Sequence, residues 1–150
     1  MTDLTHPSPN HNARTSPIRL IVLHADASPS EKGTLGWFMD PASKVSYHVL
    51  IGRQGTVYRI VEESRKAWHA GKAKWDGHDD VNGCSLGLSF ANRHDGVEAL
   101  TPLQIAAAGF AGIYTAGNTA VEKAHAHKST TTTTTTGTRP SGTVTEQTDG

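Results

Sequence analysis

Short apolar, β-branched runs separated by glycine, proline and polar residues organise most of the chain. Residues 18–24 are almost continuously apolar and end on a histidine, which predicts a strand buried on both faces. Residues 46–51 and 56–61 are two further β-rich runs, and the Gly-Arg-Gln-Gly sequence between them predicts a hairpin. Residues 85–91 alternate apolar and small side chains and predict another buried strand.

Two segments have a helical pattern. Residues 34–40 predict a short helix or turn, and Thr101-Pro102 provides an N-cap and a first residue for a longer helix ending near residue 113. The apolar residues of the longer segment are spaced so that they can share an inner face: Leu103, Ile105, Ala106, Phe110 and Ile113. The combination predicts an α/β fold with a central mixed β-sheet flanked by helices.

The two ends of the chain differ from this pattern. Residues 1–17 are polar and interrupted by prolines, which predicts an irregular leader, so the foldable unit is expected at 18–128. Residues 129–150 contain an uninterrupted threonine run and too few apolar side chains to offset the entropy of ordering, which predicts disorder. No basic region precedes an apolar run near the N-terminus, so we expect no signal peptide and a cytoplasmic location.

Composition narrows the possible partners. Lys plus Arg equals Asp plus Glu at 14 each, so we expect neither nucleic acid nor a membrane surface as the partner. A single cysteine excludes an internal disulfide, and 150 residues suit one domain, which we expect to be a monomer. The nine histidines are unusual, because imidazole is the commonest metal ligand of proteins.

Five motifs occur in a fixed order: IVLHADAS at 21–28, SKVSYHVLIGRQG at 43–55, AWHAG at 67–71, WDG at 75–77 and VNGCSLGLSFAN at 81–92. Together they resemble the type 2 N-acetylmuramoyl-L-alanine amidase family, which includes phage amidase lysozymes, muropeptide-recycling amidases and peptidoglycan recognition proteins. The resemblance covers roughly residues 18–113. It implies zinc-dependent hydrolysis of the amide between N-acetylmuramic acid and L-alanine, with peptidoglycan or a soluble muropeptide as substrate.

The resemblance also implies roles for individual residues. His24, at the end of the first buried strand, matches a zinc ligand, and Tyr47 matches the catalytic tyrosine of the phage-type members. Alternation along a regular strand would send Tyr47 and His48 to opposite faces, so we expect only Tyr47 in the cleft. Trp68 and His69 fall in a loop that lines the substrate cleft in the family, although core packing is an equal alternative for Trp68.

The chain departs from the family pattern in its last third. His127 is the expected second zinc ligand, with His125 as the other possibility, and Asp26 is one candidate for completing the site. No Asp or Cys follows Lys128 within ten residues, where the family places its third ligand. Ser89 stands where other members carry a glutamate. These departures leave open an alternative: a truncated, catalytically inactive relative that binds peptidoglycan fragments.

Overall fold

The computed structural model describes residues 2–115 and 122–125, with side chains for residues 2–109. Their elements are, in chain order, β1 (Asp3–Thr5), β2 (His11–Ala13), β3 (Leu20–Ala25), α1 (Glu31–Met39), a 3-10 turn (Pro41–Ser43), β4 (Val49–Ile51), β5 (Val57–Arg59), β6 (Arg65–Ala67), α2 (Val81–Cys84), β7 (Ser85–Phe90), α3 (Pro102–Thr115) and β8 (Glu122–His125).

The strands form one mixed sheet and one small ribbon. The six-stranded sheet has the order β1-β5-β4-β7-β3-β8, and β2 pairs with β6 in a separate antiparallel ribbon. In the described six-stranded sheet, β7 is parallel to both β3 and β4, β8 is parallel to β3, β1 is parallel to β5, and the β4–β5 pair is antiparallel. The predicted α/β class, with a central mixed sheet flanked by helices, is confirmed.

Alternation along β7 separates the two faces of the sheet. All six residues of β7 are buried. Leu86, Leu88 and Phe90 pack with Ala107 of α3 in one core cluster. Because successive side chains of a strand point to opposite faces, Ser85, Gly87 and Ser89 lie on the face that carries α1 and α2. The small residues predicted in this run therefore leave space beside the sheet for larger side chains from elsewhere.

The predicted hairpin is confirmed, and glycine is needed at one of its corners. Gly55 has φ of 76°, and the N–H of Gly52 donates to the carbonyl of Thr56 across the turn at 2.8 Å. The strands themselves are shorter than the sequence pattern predicts, with β4 beginning at Val49 and β5 ending at Arg59.

The prediction that residues 1–17 are irregular is wrong for two segments. Strand β1 adds an edge to the main sheet beside β5, and β2 pairs with β6. Ser8 and Asn10, between these strands, are only 4% and 2% exposed. The Asn10 amide donates to the carbonyls of Phe38, Asp40 and Val45. Polar hydrogen bonds rather than apolar burial hold this segment, so a hydrophobic pattern does not reveal it.

Helix α3 lies where it is predicted, but its first turns have a different inner face, and the side chains of Phe110 and Ile113, predicted for the same face, lie outside those described. Leu103 and Ile105 are 53% and 60% exposed, whereas Gln104 and Ala107 are buried against the sheet. The Gln104 amide donates to the carbonyls of Ile51 and Ala91, which explains why a polar residue replaces the expected apolar one. Among the described residues, no helix has the length and apolar character needed to cross a membrane. The predicted threonine-rich tail, 129–150, lies outside the described residues.

Candidate metal and catalytic site

Four predicted or neighbouring site residues lie close together on the α1 face of the sheet, although 45 positions separate the first from the last. The ring of His24 lies 4.8 Å from Tyr47 and 5.2 Å from His69, measured between ring centroids. The ring of His69 also lies 6.2 Å from Tyr47 and 5.9 Å from His48. We call His24, His48 and His69 the histidine cluster. Each is buried, so the cluster is part of the interior rather than of an open surface.

His24 occupies the next-to-last position of β3 and pairs in register with Ser89 of β7. It is 7% exposed, and its Nε2 atom lies 3.1 Å from Nδ1 of His69, within hydrogen-bonding distance. The predicted strand-end position of His24 is thus correct. Its contact with His69 is a feature that the sequence pattern did not indicate.

His69 lies flat over β7, in the space left by Gly87. A Cβ atom at Gly87 would be 2.5 Å from Cγ of His69, so only glycine accommodates the ring there. The Nε2 atom of His69 lies 3.1 Å from the hydroxyl of Ser85. Asn82 fixes the backbone of the loop by accepting from the N–H groups of His69 and Ala70. With only 9% of its surface exposed, His69 is positioned to support His24 more directly than to contact a substrate.

Tyr47 is 2% exposed and packs edge-on against Phe38 of α1, with ring centroids 5.1 Å apart. Burial raises the pKa of Tyr47 to about 12, and the nearby Asp26 carboxylate acts in the same direction. At neutral pH its phenol is therefore protonated. A group in this state can donate a hydrogen bond but cannot serve as a general base.

The expectation that Tyr47 and His48 face opposite sides is wrong, because both rings approach His69. Regular strand β4 starts only at Val49, so the two residues precede the alternating part of the chain. The imidazole of His48 spans two neighbouring segments: Nδ1 accepts from the N–H of Gly87 at 2.9 Å, and Nε2 lies 3.1 Å from the carbonyl of Arg65. Its role in the structure is to connect strands.

Arg14 is a structural residue of the site that sequence reasoning missed. Its guanidinium donates to the carbonyls of Glu63, Arg65, Gly83 and Ser85, and it also lies 3.0 Å from Nε2 of His48. Because Nδ1 of His48 accepts from a backbone N–H, Nε2 of the neutral ring carries the hydrogen, and the Arg14 contact is a close approach. A lone arginine in a polar segment gave no signal of this role.

The electrostatics favour neutral imidazoles at His48 and His69. Burial lowers the pKa of His48 to about 4; the hydrogen bond to Arg65 opposes this shift and Arg14 reinforces it. Burial also lowers the pKa of His69 well below its ordinary value, and the neighbouring His24, His48 and Arg14 add to the effect. Neutral imidazole is the form that binds metal ions, so the environment is compatible with a metal site.

A pH dependence of stability follows from these shifts. Below pH 6.5 the unfolded His48 takes up a proton, whereas the folded residue stays neutral down to about pH 4. The unfolded state then binds more protons, so the free energy of unfolding should fall as pH drops through this window, by about 1.4 kcal/mol per pH unit for each such histidine. Urea unfolding at several pH values between 7.5 and 4.5 measures this slope of the free energy of unfolding. A smaller slope in His48→Gln would support the assignment, and an unchanged slope would contradict it.

Trp68 and Asp26 both have structural partners. The indole N–H of Trp68 donates to Asn12 Oδ1 at 2.6 Å, which connects the loop after β6 to β2, and the side chain is partly exposed. The carboxylate of Asp26 accepts from Thr34 Oγ1 and from the N–H groups of Ser28 and Asn92. With both oxygens engaged, Asp26 is better explained as a link between the loop before α1 and the end of β7 than as a zinc ligand.

The second predicted zinc ligand, His127, lies outside the described residues. Strand β8 follows α3 and runs parallel to β3, with the Cα atom of His125 paired with Leu23, the residue before His24. Within the part of the chain that the structure describes, no three His, Cys, Asp or Glu side chains are grouped as a metal site. His24 itself fits zinc by its chemistry, since it is a buried imidazole with one ring nitrogen supported by a neighbour.

Comparison with known proteins identifies the family of this chain. The model of the N-acetylmuramoyl-L-alanine amidase family, Amidase_2, matches residues 14–137, which is most of the chain. The chain belongs to this family. The 1,6-anhydro-N-acetylmuramyl-L-alanine amidase AmpD of Escherichia coli (strain K12) is 29% identical over 102 residues, 55% of this chain and 55% of AmpD. N-acetylmuramoyl-L-alanine amidase A of Achromobacter lyticus is 31% identical over 64 residues, 42% of this chain and 36% of that protein.

Solved structures of similar proteins agree with this assignment. A crystal structure of a selenomethionine AmpD derivative has a TM-score of 0.56 at 27% identity, covering 74% of this chain and 73% of that one. The complex of Escherichia coli AmiD with anhydro-N-acetylmuramic acid-L-Ala-D-γ-Glu-L-Lys has a TM-score of 0.53 at 28% identity. The match covers 64% of this chain and 42% of the AmiD chain. The chain spans about half the length of AmpD, the curated relative compared above. The resemblance to the type 2 amidases is confirmed as family membership.

Proposed function

We propose that this protein is a zinc-dependent amidase that hydrolyses the bond between N-acetylmuramic acid and L-alanine in muropeptides or peptidoglycan. The observation that carries the proposal is the contact of buried His24 with both Tyr47 and His69, at 4.8 and 5.2 Å between ring centroids. The two residues that the family resemblance marks as metal ligand and catalytic tyrosine are thereby adjacent, and both are buried.

His24 would hold the zinc ion together with His127, whose role stays a prediction. Zinc supplies Lewis-acid polarisation of the amide carbonyl and lowers the pKa of water, both of which an unactivated amide requires. His24 contributes a ring nitrogen from a side chain that is only 7% exposed. We keep the cytoplasmic location and the monomeric state as expectations that accompany this proposal.

Tyr47 would act as a hydrogen-bond donor to the oxygen of the substrate carbonyl as negative charge develops there. Its pKa of about 12 keeps the proton on the phenol throughout the neutral range. Donors aimed at a developing oxyanion in a water-poor site contribute about two to three orders of magnitude in rate. A role as general base does not fit a phenol with a raised pKa.

The names of the similar proteins favour muropeptides as the substrate class. AmpD is named for 1,6-anhydro-N-acetylmuramyl-L-alanine, and AmiD is named in complex with the substrate anhydro-N-acetylmuramic acid-L-Ala-D-γ-Glu-L-Lys, a muramyl tripeptide. We extend this class to the present chain as part of the proposal. Trp68, which is partly exposed, remains the predicted wall for the sugar or peptide.

A second candidate is a relative that binds peptidoglycan fragments without cutting them. It is favoured by the threonine run at 130–136, where the family pattern places an acidic or thiol zinc ligand. Binding requires only the cleft, whereas hydrolysis requires the metal as well.

Zinc removal separates the two candidates. The purified chain is assayed for release of peptide from a muramyl-L-alanyl peptide, first as prepared, then after chelation and dialysis, then after addition of zinc. An amidase should lose activity on chelation, by more than about a hundredfold, and regain it with zinc. A folded chain that binds the muropeptide in calorimetry but releases no peptide with zinc present would overturn the amidase proposal and support the binding relative.

A further inference from the structure

Three consecutive polar contacts connect His24 to the backbone of α2. The hydroxyl of Ser85 donates to the carbonyl of Val81 at 2.5 Å, and the same oxygen lies 3.1 Å from Nε2 of His69. The other ring nitrogen of His69, Nδ1, lies 3.1 Å from Nε2 of His24. We call the Ser85 hydroxyl and the His69 ring the Ser85–His69 relay. Ser85 has no exposed surface, and His69 is 9% exposed.

Counting donors fixes the hydrogen positions along the relay. A serine hydroxyl has one hydrogen, and in Ser85 the carbonyl of Val81 takes it, so the oxygen can only accept from His69. His69 Nε2 must then carry a hydrogen. A His69 ring whose single hydrogen is on Nε2 has a lone pair on Nδ1, and the 3.1 Å approach of Nε2 of His24 to that lone pair places a hydrogen on His24 Nε2. A neutral His24 with its hydrogen on Nε2 has the lone pair on Nδ1.

We propose that the Ser85–His69 relay is a positioning device that holds His24 in the tautomer whose Nδ1 atom binds the metal. Metal-binding histidines almost always donate their second ring N–H to an acceptor, which fixes the tautomer and the ring orientation. Here the acceptor is a second imidazole, Nδ1 of His69, at 3.1 Å. The metal part of this inference rests on the proposed function, whereas the hydrogen positions do not.

A different arrangement would place one cation between the two rings, with Nε2 of His24 and Nδ1 of His69 both as ligands. Two nitrogen ligands of a tetrahedral zinc are separated by about 3.3 Å, close to the 3.1 Å seen here. The two arrangements differ in one observable, because a shared cation requires Nε2 of His24 to carry no hydrogen. The donor count places the hydrogen of His69 on Nε2 in both arrangements, so the tautomer of His24 in the zinc-loaded chain decides between them. A hydrogen retained on Nε2 of His24 supports the relay, and its loss on zinc binding would overturn it.

The first test is the tautomer of His24 in the unmodified, metal-free protein. Long-range ¹H–¹⁵N correlation spectra of ¹⁵N-histidine-labelled chain at neutral pH distinguish a protonated from an unprotonated ring nitrogen. We expect His24 and His69 both to carry hydrogen on Nε2 and to show an unprotonated Nδ1. A His24 ring with its hydrogen on Nδ1 would overturn the proposal. No substitution is needed, so a folding defect cannot obscure the result.

The second test removes the Ser85 hydroxyl and measures the dissociation constant for zinc. In Ser85→Ala, His69 can carry its hydrogen on Nδ1 and donate to His24, which moves the hydrogen of His24 onto the metal-binding nitrogen. We expect a mixture of His24 tautomers and zinc affinity weaker by about 10- to 100-fold. Unchanged tautomer and unchanged affinity would contradict the relay.

Ser89→Ala is the matched control. Ser89 lies on the same strand and the same face as Ser85 and has no exposed surface, but within the described residues its hydroxyl has no hydrogen-bond partner. We expect zinc affinity within about twofold of the unmodified chain. If the unmodified chain takes up no zinc, the proposed function fails, and the spectra of the metal-free protein still decide for or against the relay.

Discussion

Replacing His24 by alanine should abolish zinc binding and reduce hydrolysis of the muramoyl-L-alanine amide by more than about a thousandfold. His24 is the predicted zinc ligand that the structure describes, and its ring contacts both Tyr47 and His69. Elemental analysis should change from about one zinc per chain to almost none. The same substitution leaves Nδ1 of His69 without its partner, so we also expect a loss of about 1–3 kcal/mol in the free energy of unfolding.

The control for His24→Ala is His78→Ala. His78 stacks on Trp75 in a tight turn and lies outside the histidine cluster, so its removal should leave zinc content and activity nearly unchanged. Circular dichroism and urea unfolding of both variants separate metal loss from unfolding. A folded His24→Ala protein with full zinc content would show that His24 is not a ligand, and would remove the main support for the metal site.

The sequence predicted the parts of the fold that depend on apolar burial and on turn chemistry. Residues 18–24 and 85–91 form buried strands, and the hairpin closes at Gly55 with positive φ. Their signals are local, because a buried strand and a tight turn each restrict residue types within a few positions. The family motifs added the roles of His24 and Tyr47, which no local pattern would have provided.

The missing parts depend on contacts between distant polar groups. Asn10 and Arg14 hold the N-terminal segment through backbone carbonyls of four other segments, and neither residue type signals such a role by itself. His48 was assigned away from the site by assuming a regular strand, yet regular pairing begins one residue later. Ser85 and Gly87 were recognised as small, but the partner that their size accommodates, His69, comes from a loop 16 to 18 residues earlier.

Replacing Gly87 by alanine should destabilise the protein and disturb the site together. The new Cβ would lie 2.5 and 2.6 Å from Cγ and Cδ2 of His69, so the ring must move. His69 is buried and has a polar partner at each ring nitrogen. Moving its ring therefore breaks those two contacts and also disturbs its packing against β7. We expect a loss of about 2–4 kcal/mol in the free energy of unfolding and weaker zinc binding. Urea unfolding and zinc titration measure both.

Gly36→Ala adds the same methyl group and is expected to stabilise the protein instead of destabilising it. Gly36 lies inside α1, and a Cβ atom there would meet nothing within 4 Å. Alanine is the better helix former, so this variant should gain about 0.5–1 kcal/mol and keep its zinc affinity. The difference between the two changes in the free energy of unfolding measures the cost of displacing His69, separate from the general effect of adding a methyl group. Equal stability in Gly87→Ala and the unmodified chain would mean that His69 does not lie against β7, and the relay to His24 would fail with it.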